Sequence, residues 1–116
     1  MFAVIFEVTP KRTGQEEYLA LAAQLREFLV NRPGFISIER LRSMTEEGKL
    51  LSLSFWEDEA AIEAWRNFID HRHAQEKGKS SLFSSYRIRV AEVVRDYTHQ
   101  TRDEAPGDSN EFLQPA

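Results

Sequence analysis

At the start of the chain Phe2, Val4, Phe6 and Val8 alternate with Ala3, Ile5 and Glu7. A period of two is the pattern of a strand. "TPKRTG" then supplies turn residues. From Gln15 to Val30 the period lengthens: Tyr18, Leu21, Ala22, Leu25, Phe28 and Leu29 recur at spacings of three and four, the stripe of an amphipathic helix. Pro33-Gly34 ends that helix, and the β-rich runs "FISIERLRS" and "KLLSLSFW", separated by "MTEEG", predict a hairpin. Asp58 is placed to cap a second helix, whose buried stripe is Ala61, Ile62, Trp65, Phe68 and Ile69. This helix is predicted to run to about Phe68, with Asp70 capping a shorter segment through Glu76 and Gly78 stopping it. "YRIRVAEVVRD" alternates again and slips phase at Val93-Val94, which predicts a bulge near Glu92.

The resulting order, β-α-β-β-α-β, is an α+β fold of the ferredoxin-like type, with both helices on one face of an antiparallel sheet. It accounts for residues 1–97. Residues 98–116 lose the periodicity and are acidic with Pro and Gly, so they are expected to be a flexible tail, or a dimer clasp through the apolar knot "EFL". The strands carry apolar residues on both sides: Ile5 against Phe6, Ile36 and Ile38 against Phe35 and Leu41, Leu51 and Leu53 against Leu50 and Trp56. A sheet apolar on both faces needs a second cover, which predicts a homodimer with two sheets meeting face to face.

Composition narrows the function classes. A chain of 116 residues with 41% hydrophobic content supports one folded domain. No apolar run approaches the roughly 20 residues that cross a bilayer, and the first residues look like a strand rather than a signal peptide, so a cytoplasmic protein without a membrane partner is expected. The absence of cysteine removes disulfides, thiolate nucleophiles and sulfur ligands. A formal charge of −4 argues against nucleic acid as a partner.

Few residues remain as candidates for chemistry. Glu7 is a carboxylate in an otherwise apolar strand; it lies either at an exposed strand end or in a cavity, where desolvation would raise its pKa toward that of a useful base. His71 and His73, two apart, fall about 200° apart around a helix and do not chelate one metal, so no metal site is expected. Each alone can donate a hydrogen bond or titrate near neutral pH. Trp65 belongs either to the core or to a pocket rim. Ser52 and Ser54 are small polar interruptions of a strand that leave room for a ligand or a neighbouring side chain, and Arg87 and Arg89 are suited to surface ion pairing. No phosphate loop, nucleophile elbow or nucleotide fingerprint is present.

"SFWEDEAAIEAWR", the following "HRHAQEKGK" and the closing "YRIRVAEVVRDY" resemble, over about Met1 to Tyr97, the antibiotic biosynthesis monooxygenase family of small dimeric α/β-barrel proteins. That resemblance implies a ferredoxin-like protomer, a homodimer and either of two chemistries. One is cofactor-independent oxygenation of anthrone or quinol-like aromatics. The other is haem degradation, with an Asn on the first strand, a Trp on the second helix and a His later on that helix. Trp65 matches the tryptophan, the first-strand position is Glu7, and the ligand position falls at about Gln75. The expectation is thus a dimeric monooxygenase that oxidises a small phenolic or quinol-like aromatic with O2, without metal or flavin. Glu7, His71 or His73 would serve as base, Trp65 would orient the ring, and Ser52, Ser54 and Gln75 would line the substrate. Haem is the alternative cofactor, and a non-catalytic small-molecule-binding or stress-response module is the alternative class.

Overall fold

The structure is a computed structural model. It describes residues 1–75 and 83–113, with the backbone alone described for residues 70–75, 83 and 113. Strand β1 (Phe2–Pro10) leads to helix α1 (Gln15–Leu29), strands β2 (Phe35–Arg42) and β3 (Leu50–Trp56), helix α2 (Glu59–Gln75), strand β4 (Phe83–Glu92) and a short helix α3 (Gly107–Leu113). The four strands form one antiparallel sheet in the order β2-β3-β1-β4. This is the ferredoxin-like arrangement that the element order predicts.

Local signals place the ends of these elements. The β2–β3 turn closes through Ser43, whose N–H donates to the Lys49 carbonyl at 3.0 Å while its hydroxyl accepts from the N–H of Glu46, also at 3.0 Å. Asp58 caps α2: its Oδ1 accepts the Ala61 N–H at 2.8 Å, satisfying one of the helix's otherwise unpaired donors. Gly34 carries φ +82°, and a Cβ there would stand 2.6 Å from that of Ala61. The glycine therefore lets the start of β2 lie directly against the first turn of α2, where the Glu57 N–H also donates to the Gly34 carbonyl at 2.8 Å.

The side of the sheet that the helices cover holds two buried clusters. At one end Val8, Tyr18 and Leu50 pack together with Phe6 against them. At the other, Leu29, Trp56 and Ile62 are joined by Phe2, Val4, Phe35, Ile38 and Trp65. Trp56, the largest fully buried side chain of the cluster, is 2% exposed. Alternation sends Ala3, Ile5, Glu7, Leu51, Leu53 and Phe55 to the other side, here called the outer face.

Two sequence expectations are corrected. α2 runs without interruption from Glu59 to Gln75, so it neither ends near Phe68 nor restarts at Asp70. Its propensity carries it through: apart from Asp70 the stretch lacks a helix breaker, and one Asp costs well under 1 kcal/mol. Nor is there a bulge near Glu92. β4 stays in register with β1 from Ser85 to Glu92 and then stops, the one shift in that ladder lying at Thr9/Pro10. The phase slip at Val93-Val94 marks the chain leaving the sheet. The stop foreseen at Gly78 lies outside the described residues.

Candidate functional site

The sheet's helix side is built from aromatic residues in contact. Trp65 on α2 stacks on Phe68 one turn later, with centroids 5.5 Å apart and planes at 20°. Its other neighbour is Trp56, at 6.5 Å. Phe35 meets Trp56 edge-on at 5.4 Å, and Phe28 of α1 reaches Phe68 at 5.5 Å. The Arg32 guanidinium lies 4.2 Å from the Phe68 centroid and 5.7 Å from that of Trp65, so a cation covers the α1 side of this stack. Arg32 was not singled out from sequence, and Phe28 and Phe68 were read only as members of the apolar stripes of the two helices.

The serines divide. Ser54 is buried, and its Oγ accepts the Trp56 indole N–H at 2.9 Å. Burial of Trp56 requires such a partner, so Ser54 serves the core rather than a ligand. Ser52 is half-buried on the same side, opposite Phe6 and Arg40.

Glu7 lies elsewhere. Its neighbours Phe6 and Val8 point under the helices, so Glu7 points to the outer face, where Oε1 is 3.6 Å from Lys49 Nζ and Oε2 is 3.4 Å from an Arg89 nitrogen. Its side chain is 22% exposed. The Lys49 ammonium is held above its ordinary range chiefly by its hydrogen bond to Glu46, with burial opposing the rise and the charge of Glu46 and then Glu7 adding to it. The cavity alternative for Glu7 thus gives way to an ion-paired carboxylate on the far side of the sheet from Trp65, and the two do not flank one ligand within a protomer. Arg89 is used as expected, in ion pairing.

His71, His73 and Gln75 fall within the last turns of α2, and their side chains lie outside those described. Because the helix is continuous, the two histidines stay about 200° apart around its axis. Among the described residues no group of three or more His, Asp or Glu could hold a metal ion.

The other edge of this side is apolar and open. In the β1–β4 ladder Tyr86, Ile88 and Val90 stand opposite Val8, Phe6 and Val4, and so share the helix side. They are nevertheless 63%, 55% and 47% exposed. Phe6 and Tyr86 meet at 6.1 Å across the ladder. Together they form an exposed apolar strip along β1 and β4. A separate cleft of about 310 Å³ opens at the β2–β3 edge, between Tyr18, Leu19, Arg40, Arg42 and the leucines of the two strands. There burial raises the Tyr18 phenol above its ordinary 10.0, partly offset by Arg40, which hydrogen bonds to it.

Comparison with known proteins settles the family. A family model described as antibiotic biosynthesis monooxygenase matches residues 1–77. The chain belongs to this family. A jasmonate monooxygenase of Pyricularia oryzae is 44% identical over 94 residues, which is 81% of this chain but 44% of that protein, so the chain spans under half of the relative's length. Among solved structures, the haem degrader MhuD of Mycobacterium tuberculosis, with two haems in its active site, superimposes with a TM-score of 0.68 at 22% identity, covering 84% of this chain and all of that one. SnoaB, a cofactor-independent oxygenase of Streptomyces nogalater, gives 0.64 at 16% identity over 82% of this chain and 94% of its own. Likenesses this distant show the fold alone.

Of the residues that the resemblance points to for haem, Trp65 stands on the helix side of the sheet, Glu7 faces the opposite side toward Lys49 and Arg89, and the side chain at the ligand position, about Gln75, lies outside those described. Among the described residues no helix is long and apolar enough to cross a membrane.

Proposed function

We propose that this protein is a homodimeric, cytoplasmic monooxygenase that oxidises a small electron-rich aromatic, of the phenol or quinol type, on the helix side of the β1–β4 ladder. The supporting observation is the apolar strip there: Phe6, Tyr86, Ile88 and Val90 lie on the side of the sheet that helices cover, yet the β4 residues are about half exposed. Contiguous apolar surface left open in this way marks a place where an apolar ligand or partner binds. Trp65, half-buried on α2, supplies an aromatic face to orient a ring.

Deprotonating such a substrate makes it electron-rich enough to reduce O2 itself. For a substrate methylene the balance is CH2 plus O2 giving C=O plus water, with no outside reductant. The protein then needs a base and a site closed to water. His71 and His73, on the same helix as Trp65, are the bases in this proposal. Glu7 is not, because it sits on the opposite face in an ion pair.

The test is O2 uptake with a panel of anthrones and quinols, with jasmonate included because a 44% identical relative is named for it. Uptake with a phenolic substrate is expected to fall about tenfold or more in Trp65→Ala and about 10²-fold or more in one of His71→Gln and His73→Gln. A ligand that raises the melting temperature while no panel member drives O2 uptake would overturn the proposal in favour of a binding module.

A further inference from the structure

After β4 the chain departs from its own domain. The Val93 N–H still donates to the Met1 carbonyl at 2.9 Å, but residues 94–106 form neither strand nor helix, and α3 follows. The radius of gyration is 17.5 Å and the longest extent 60 Å, against about 13 Å expected of a compact chain of this length. The family match ends before this segment.

The segment is nonetheless built. Arg102 is its centre: its Nε donates to Asn110 Oδ1 at 2.7 Å, one terminal nitrogen to Ser109 Oγ at 2.9 Å and the other to the Thr98 carbonyl at 3.1 Å. Its guanidinium also lies 5.1 Å from the Tyr97 ring. Thr98 Oγ1 accepts the Thr101 N–H at 2.8 Å, and Glu104 accepts the Asp96 N–H at 3.2 Å. These hydrogen bonds close the arm on itself, while its apolar side chains stay outside: Val94 is 79% exposed, Phe112 87% and Tyr97 41%.

A free arm of this kind does not hold its shape by polar contacts alone. Ordering the backbone costs about 1–2 kcal/mol per residue, and an intramolecular hydrogen bond returns only about 1. Apolar burial has to make up the difference, and the arm's apolar residues have no cover on their own domain. A second copy of the chain offers one. Its outer face carries half-buried Ile5, Leu51, Leu53 and Phe55, with Ile36 and Leu41 more exposed. The same face bears Lys49, Arg87 and Arg89 against Glu7 and Glu39, a small cationic excess, while the arm carries Asp96, Asp103, Glu104, Asp108 and Glu111 against Arg95 and Arg102, a net acidic charge of opposite sign.

We propose that residues 94–113 form an exchanged arm, folded in advance around Arg102, that seats Tyr97 and Phe112 on a second copy of this chain, each copy clasping the other. The proposal rests on the homodimer proposed above. It adds that the arm covers the part of the outer face that sheet pairing leaves open, so that arm and sheet together hold the pair.

The test uses the full chain carrying a photo-cross-linking benzoylphenylalanine at Phe112, as a mixture of light and ¹⁵N-labelled protein exchanged before irradiation. Cross-links joining light to heavy chains are expected. Ending the chain after Arg95 is expected to weaken dimerisation, measured by light scattering across a dilution series, about tenfold or more, with Arg102→Ala between it and the intact protein. A dimer whose cross-links stay within single chains, or whose affinity survives truncation, would overturn arm exchange and leave the oxygenase proposal untouched. An intact protein that is monomeric at micromolar concentration would overturn the dimer as well.

Discussion

The same strands present two unlike surfaces. On the helix side, polar atoms serve packing: Ser54 is buried to satisfy the Trp56 indole, and Arg40 reaches under α1 to the Tyr18 phenol and, at 3.4 Å, the Ala22 carbonyl. On the outer side, one residue away along β1, Glu7 lies between Lys49 and Arg89 with its side chain part-exposed. The lesson is that a residue's chemistry here follows from its face rather than its type. A carboxylate that looked like a base is an ion-pair partner, and a serine that looked like a ligand contact is a hydrogen-bond acceptor in the core.

Deleting the largest fully buried side chain of the helix side would break the contrast most severely. Trp56→Ala is expected to cost about 3–5 kcal/mol in chemical denaturation, because Phe35, Trp65 and Ile62 lose their common neighbour and the cavity cannot refill from one side. A loss below about 1 kcal/mol would mean that Trp56 is not the centre of that cluster.

Tyr18 gives a smaller effect with a pH signature. Its folded pKa is raised above 10.0, chiefly by burial, so the unfolded chain ionises first. The associated stability is complete below about pH 10 and is lost as pH rises through the folded value. Tyr18→Phe should cost about 1 kcal/mol at neutral pH, where Arg40 loses a partner, and should flatten the alkaline decline. An unchanged alkaline slope in the variant would assign the decline to other groups.

The smallest effect is expected on the outer side. Glu7→Gln removes a carboxylate shared by two cations, one of them half-exposed, and should cost under about 1 kcal/mol in a dilute sample. If the face is covered in a dimer, the cost should grow with protein concentration, since Lys49 and Arg89 would then be left without their counter-charge in a drier setting. A concentration-independent cost would show that this part of the face stays wet.

Much of the fold was legible in the residues. Periods of two and of three to four marked every element of the ferredoxin-like order, and the Asp58 cap started α2 as read. The site was less legible. Glu7 could be placed in β1 but not on a face, because apolar residues on both sides of the strand removed the usual cue to which side was inward. Arg32 carried no signal in the sequence, and only the approach of α1 to α2 put its guanidinium over Phe68 and Trp65. α3 gave no periodic signal because it is short and takes its support from Arg102, a contact seven or eight residues away that no helical period reveals.

The sequence by itself determined the number, kind and order of the elements, since side-chain periodicity and capping act between near neighbours in the chain. It also determined the family, through the local pattern around Trp65. Only the tertiary structure decided which face each strand residue serves, that β4 ends at Glu92 and that the arm leaves the domain. Those outcomes depend on contacts between residues far apart in sequence, such as Glu7 with Lys49 and Arg89 or Gly34 with Ala61, and local pattern carries no information about such pairs.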